Sequence, residues 1–228
     1  MAKSRTSGPS LEDLEATFRK KSFSPLYLFH GEEDFLVEQA VQMLIESALD
    51  EQSRSFNLDV VYGSGIEAKD VVSTVSQFPM MGERRVVIVK EVDRIANKEA
   101  LVPLVEHPIA TTVCVFVSSK PDFRVKFFKS FGQQGTVVEF KRLYESDIPR
   151  WIIAEVRKLG KTIDADAAQL MLSYVGRSLR EVRNEIDKLF TYVGAKSTIT
   201  GDDVNSVVGM SKQYNVFELQ KAVGQKRL

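Results

Sequence analysis

The run Leu26-Tyr27-Leu28-Phe29-His30-Gly31, continued without a break by Glu32-Glu33-Asp34-Phe35-Leu36-Val37-Glu38-Gln39-Ala40-Val41, decides the fold. Its opening residues are compact and apolar and end on glycine, the pattern of a buried strand. From Phe35 onward the apolar positions Phe35, Leu36, Ala40, Met43 and Leu44 recur at helical spacing. A strand that is apolar along its whole length has both faces covered, so helices are expected on both sides of the sheet it joins.

The same alternation runs outward in both directions. Upstream, residues 1–10 read as a flexible tail and Leu11 to Lys20 as a short amphipathic helix. Downstream, FNLDVVYG (Phe56 to Gly63), RRVVIVK (Arg84 to Lys90), TTVCVFVSS (Thr111 to Ser119) and GTVVEF (Gly135 to Phe140) are expected strands. Helices are expected between them near Glu67 to Gln77, Lys98 to Glu106 and Val125 to Phe131. Such a series predicts an α/β domain on a parallel sheet.

After Phe140 the period is helical. WIIAEVRKLG, DADAAQLMLSYV and SLREVRNEIDKLF predict helices starting at Ser146, Asp164 and Ser178, and GDDVNSVV predicts a short fourth. NVFELQKAVGQKRL predicts a fifth, expected to open a further domain that this chain does not complete. On the Ser178 helix, Leu179, Val182, Ile186 and Leu189 line one apolar face, with Arg180, Asn184, Asp187 and Lys188 off it.

Composition excludes several classes. The 228 residues carry 31 Lys plus Arg against 31 Asp plus Glu, which disfavours a strongly basic nucleic-acid binder and an acidic disordered tail. With 43% hydrophobic residues the chain can bury a core without disulfides. One cysteine, Cys114, and two histidines, His30 and His107, cannot build a disulfide framework or a Cys/His zinc site. The polar first ten residues lead into no apolar signal segment, and the longest apolar runs, such as Val113 to Val117, are too short to span a bilayer. A cytoplasmic protein without membrane association is expected.

The chemistry of a nucleotide-binding α/β domain is then sought and not found. A phosphate loop after the first strand needs G-x-x-x-x-G-K-[ST]; the turn here is Gly31-Glu32-Glu33-Asp34-Phe35-Leu36, without a second glycine or a lysine. Its acids suit a helix N-terminus and repel a triphosphate. After the third strand come Lys90 and Glu91, an ammonium where a metal-holding carboxylate belongs, and Lys90, Glu91 and Asp93 read as a solvated strand end. An active P-loop ATPase is therefore the weaker alternative. Gly63-Ser64-Gly65-Ile66-Glu67-Ala68 fits G-x-G-x-x-A after a strand, with Glu91 roughly 20 residues on, which raises a nicotinamide-dependent oxidoreductase. The motif follows the second strand rather than the first, and a plain turn is the expected reading. Cys114, mid-strand, reads as an inert buried thiol, and no G-x-S-x-G elbow exists. No catalytic, cofactor-binding or metal-binding residue is expected.

The remaining oddity is Phe78-Pro79-Met80-Met81-Gly82, large apolar residues in a loop bounded by glycine. Either they anchor the core, as most Met and Phe do, or they form an exposed plug for a partner's pocket. Basic residues cluster nearby (Arg84, Arg85, Lys90, Arg94) and again at Lys120, Arg124, Lys126 and Lys129, runs that usually form solvated faces and less often contact DNA.

Four stretches in order, SPLYLFHGEEDFLVEQAV, FPMMGERRVVIVKEVD, GRSLREVRNEIDKLFTY and NVFELQKAV, resemble the delta subunit of the bacterial DNA polymerase III clamp loader. They span residues 25–228. The third is similar to the family's lid signature G-x-x-L-R-x-x-x-N-E-[IL]-x-K-L. The resemblance implies an AAA+ type α/β domain over residues 1–140, a small all-α lid over 141–211, and the start of a helical collar over 212–228. It implies a subunit that does not itself hydrolyse ATP, within a holoenzyme whose polymerase activity (a nucleotidyl transfer) belongs to the complex. It further implies that two adjacent apolar residues insert into a hydrophobic pocket of the ring-shaped beta sliding clamp and favour its open form. Those positions fall on Met80 and Met81, with Phe78 and Pro79 beside them, where many members carry Phe or Leu. The implied partners are the beta clamp, the delta-prime and gamma/tau subunits, and primed DNA through the assembled complex.

Overall fold

The computed structural model describes residues 8–209. The first residues of the expected tail, and the 212–228 segment with the helix expected for NVFELQKAV, lie outside the described residues. The chain divides into two compact units, Met1–Arg142 and Leu143–Leu228.

The first unit is a five-stranded parallel sheet of β1 (Leu26–Gly31), β2 (Leu58–Tyr62), β3 (Arg85–Lys90), β4 (Thr112–Ser118) and β5 (Thr136–Phe140), in the order β2-β3-β4-β1-β5. The continuous apolar runs predicted the five strands and their parallel sheet, though not the strand order. Strands β1, β3 and β4 occupy the middle and are buried on both faces. One face is covered by α1 (Leu11–Arg19) and α2 (Asp34–Ala48), where Phe18 packs edge-on against Tyr27 at 5.8 Å. Against the other, Leu28, Val87, Val89 and Phe116 form one cluster with Val71, Val105, Phe127 and Phe131 from the connecting helices.

Two expectations need correction. Phe56 and Asn57 are not strand: Arg54–Asn57 form a single helical turn, α3, before β2 begins at Leu58. One turn is too short to show a period, and Phe56 continues the apolar composition of the strand behind it. Strand β2 is also not buried like its neighbours. It is an outer strand, with Val60 and Tyr62 exposed, and composition alone does not separate an edge from a centre. The crossovers continue through α4 (Ala68–Val75), α5 (Val102–Glu106) and α6 (Lys126–Gln134), close to their expected places.

The second unit is helical, with α7 (Ile148–Lys158), α8 (Ala165–Val175) and α9 (Leu179–Val193) packed together. The expected face of α9 is its buried face: Leu179, Val182, Ile186 and Leu189 are all sequestered. Ser178 caps the helix, its Oγ accepting from the Glu181 N–H at 3.3 Å. The expectation of a purely helical unit misses a two-residue parallel ladder, Thr162–Ile163 against Thr198–Ile199, too short to leave a period-two signal. Glu155 is buried in this unit, where it accepts from Arg183 Nη1 at 2.9 Å and Lys158 Nζ at 2.8 Å.

Candidate functional site

Each parallel strand has an amino end and a carboxyl end, and ligands of open α/β sheets ordinarily lie outside the carboxyl ends. In this unit the turns after β1 and β2 are closed by backbone contacts. Between β1 and α2 only Glu32 and Glu33 intervene. Gly31 is required there: its φ is +135°, and a Cβ would lie 2.1 Å from the Phe140 carbonyl oxygen of β5. The Glu33 N–H, an amide that a phosphate loop would direct at its ligand, donates to that same carbonyl at 3.2 Å.

The turn after β2 is closed in the same way. Gly63 donates to the Lys90 carbonyl at 2.8 Å, and a Cβ on it would stand 2.1 Å from the Glu91 carbonyl oxygen. A Cβ on Gly65 would meet no heavy atom closer than 4.0 Å. The G-x-G-x-x-A match is thus a turn with one close backbone approach. Beyond β3, Lys90 lies over the Tyr62 ring at 5.6 Å and Glu91 pairs with Arg94 at 3.3 Å. Asp93 is no solvated strand end; it accepts from Ser118 Oγ at 2.7 Å and the Ser119 N–H at 3.0 Å, tying the ends of β3 and β4 together. A cleft of about 360 Å³ here is lined by acids (Asp93, Glu99, Asp122) and lysines (Lys98, Lys120) alike, which favours no one charge. His30 sits against the Phe123 ring at 5.7 Å; burial pushes its pKa down, partly offset by Glu139. Burial pushes the Cys114 thiol up, so it is inert. Among the described residues, no group of three or more His, Cys, Asp or Glu could hold a metal, and no helix is long and apolar enough to cross a membrane.

The amino end of β3 is different. There the loop between α4 and β3 carries Phe78, Met80 and Met81 at 79%, 57% and 87% exposure, with Pro79 half-buried between them. The core-anchoring alternative for these residues therefore fails. Met81 has φ +55°, the left-handed region that a side chain enters only when its surroundings hold it there.

Those surroundings are polar and buried. Asn57 is fully buried, and its carboxamide brackets the Met80 backbone: Nδ2 donates to the Met80 carbonyl and Oδ1 accepts the Met80 N–H, both at 2.7 Å. A Cβ on Gly82 would come within 3.1 Å of Asn57 Nδ2, so glycine suits the close pass of the loop. Arg85, 6% exposed, donates to the Phe56 carbonyl at 3.1 Å and to Gln77 Oε1 at 2.9 Å, and is ion-paired with Asp59. One guanidinium thus joins α3, β2 and the end of α4.

Arg85 corrects the reading of its basic cluster as a solvated face. Arg84 lies over the Phe23 ring at 4.9 Å, and Arg124 in the second cluster pairs with Asp122 at 2.8 Å. Arg85 and Arg124 are thus paired with carboxylates, while Arg84 rests on an aromatic face. The sequence reading gave Asn57, Asp59 and Gln77 no role and took Arg85 only as one of a basic cluster. One signal was present: a basic residue opening an otherwise apolar strand must find a carboxylate if it is buried.

The family model described as DNA polymerase III, delta subunit, matches residues 27–141, half of the chain. The chain is 30% identical to the DNA polymerase III subunit delta of Bacillus subtilis over 94% of its own length and 66% of that protein's. It is 25% identical to the "Probable DNA polymerase III subunit delta" of Aquifex aeolicus over 88% of its length and 60% of the relative's. It therefore spans a little under two thirds of these relatives. Among solved structures, the Bacillus subtilis DNA clamp loader delta protein superposes with a TM-score of 0.75 at 29% identity, covering 96% of this chain and 68% of that one. The Thermotoga maritima RuvB branch migration motor shares the fold, at a TM-score of 0.52 and 16% identity over 86% of this chain and 65% of its own. The sheet with its flanking helices is of the AAA+ type.

Proposed function

The chain belongs to the delta-subunit family of DNA polymerase III, and from that premise we propose that it is a non-catalytic clamp-loader subunit whose exposed apolar loop docks in a hydrophobic pocket of the beta sliding clamp and favours the open ring. Residues 1–140 are the clamp-binding domain in this reading, 141–211 the lid, and 212–228 the opening of a collar. The partners are the clamp, the delta-prime and gamma/tau subunits, and primed DNA reached through the assembly, which works in the cytoplasm during DNA replication. The polymerase activity resides in the complex.

The observation that carries the reading is the exposure of Phe78, Met80 and Met81 on a loop pinned to buried polar groups. Large side chains held in water are a docking surface in waiting. Methionine adapts to an apolar pocket, and each buried side chain would contribute about 1.5–3 kcal/mol. The closed turn after β1, its amide already bonded to β5, supports a subunit that takes no ATP.

The test is to measure clamp affinity and unfolding midpoint on one protein, the Met80→Ala/Met81→Ala double variant. Affinity should drop at least about tenfold, or 1.4 kcal/mol, because such anchors are hot spots. The midpoint should barely move, since the side chains face water until the partner arrives. Unchanged affinity would refute the docking role, and saturable micromolar binding of ATP to the unaltered chain would refute the nucleotide-free one.

A further inference from the structure

We infer that Asn57 is the positioning residue of the docking loop: its buried carboxamide holds the Met80 backbone so that Met80 and Met81 are presented in their binding geometry before the partner arrives. The inference rests on the docking reading above and adds to it a residue from another element, on the far side of β2 in sequence.

A loop that exposes large apolar residues gains by collapsing onto the nearest apolar surface, and a loop left free must be ordered when it binds. Ordering costs about 1–2 kcal/mol per residue in backbone entropy, which weakens binding unless the order already exists. Asn57 supplies that order with a matched donor and acceptor pair at 2.7 Å each, the arrangement a neighbouring strand would offer. Burial of the Asn57 side of each bond limits the access of competing water. The pinned residue immediately precedes Met81, whose left-handed backbone persists only where neighbours fix it. Gly82, with no Cβ, lets the carboxamide sit close behind the loop.

The side chain is specific to this task. Alanine would leave the Met80 N–H and carbonyl without their partner. Aspartate keeps the shape and the acceptor but sets an oxygen against the Met80 carbonyl, so it alters the bonding and leaves the packing volume alone.

The experiment is a binding cycle on the full chain with the cognate sliding clamp as probe, run well below the unfolding midpoint. The proteins are the unaltered chain, Asn57→Ala, Asn57→Asp, the Met80→Ala/Met81→Ala double variant, and Asn57→Ala combined with that double. Asn57→Ala should weaken binding about tenfold, and Asn57→Asp several-fold or more. Adding Asn57→Ala to the double variant should weaken binding no further, because the two side chains that Asn57 positions are gone. Amide exchange at Met80 in the free chain should accelerate at least tenfold in Asn57→Ala. If both Asn57 variants bind as the unaltered chain does while the double variant is impaired, the inference falls and the docking reading stands. Equal loss from Asn57→Ala in both backgrounds would show a global effect and likewise overturn it. If the double variant itself binds normally, the docking reading fails and this inference with it. Should Asn57→Ala not fold, the isosteric Asn57→Asp, alone and in the double background, decides the question.

Discussion

At the amino end of β3 the chain uses buried polar side chains to hold apolar ones out in water, while at the carboxyl ends of β1 and β3 it uses charged side chains and backbone contacts to close the surface. Asn57, Asp59, Gln77 and Arg85 converge under the first region. Gly31 and Gly63 close the turns of the second, and Asp93 ties β3 to β4 beside the cleft. An α/β sheet commonly offers its carboxyl ends to a ligand, because the loops there are free to wrap it. When the turn after β1 shortens to two residues and donates its amide to β5, that site is gone. A rigid platform remains, and the amino end of the same sheet can carry a protein contact. The same layered core thus serves either end, and side chains at the strand termini decide which.

The comparison is tested most severely at Arg85. Replacing it by methionine removes the cation, leaves Asp59 without its partner, and strips the Phe56 carbonyl and Gln77 of their donor. Breaking a buried pair in this way costs about 3–5 kcal/mol, with the low end expected here because Asp59 can still reach water. Urea unfolding reads the loss. A midpoint equal to that of the unaltered chain would mean that the amino end is not a braced platform.

Next in size is Gly31→Ala at the opposite end. Its Cβ would overlap the Phe140 carbonyl, and its φ of +135° suits glycine alone, so at least about 2 kcal/mol should be lost. If the variant keeps full stability, the turn has slack that a wrapping loop could use, and the contrast between the ends weakens.

How far the sequence discloses this contrast depends on the range of the signal. The strands are legible because a buried strand is apolar along its length, and the apolar face of α9 because Leu179, Val182, Ile186 and Leu189 repeat locally. The loss of the phosphate site is legible too, since it is a matter of missing residue types in one short turn. The bracing of the exposed Phe78–Gly82 loop is not. Asn57 reaches Met80, and Asp59 reaches Arg85, across an intervening helix, so no local period records either pairing. Exposure of Met80 and Met81 is equally hidden, because methionine is an ordinary core residue and only the flanking proline and glycine set the loop apart.

A smaller effect is expected from Asp93→Ala. It deletes two hydrogen bonds between the ends of β3 and β4, one of them to a buried serine, and about 1–2 kcal/mol should go with them. Clamp affinity should stay unchanged, since the bond lies at the end away from Phe78 and Met81. A parallel loss of affinity would show that the two ends are coupled and do not act independently.

The smallest effect concerns pH, and it too separates the ends. The amino end is held by the Asn57 carboxamide, which carries no ionisable proton, and by the Arg85–Asp59 ion pair. The carboxyl end holds His30, beside Ser118 on one strand and Glu139 on the other, with the Phe123 ring against it. Burial lowers its pKa below the ordinary histidine value of 6.5 and Glu139 opposes that only in part. The unfolded chain therefore takes up the proton first as the pH falls. Stability from this residue is complete above pH 6.5, declines as the pH drops through that value toward the folded pKa, and levels off below it. Because the ring is only partly shielded, the decline should stay under about 1 kcal/mol. His30→Gln removes it, so unfolding midpoints measured from pH 7.5 to 5.5 should fall more steeply for the unaltered chain than for the variant. Parallel curves would mean that His30 is as free to ionise in the fold as outside it. A pH-dependent loss of clamp affinity larger than the loss of stability would show that protonation reaches the amino end too, and the contrast between the ends would not extend to pH.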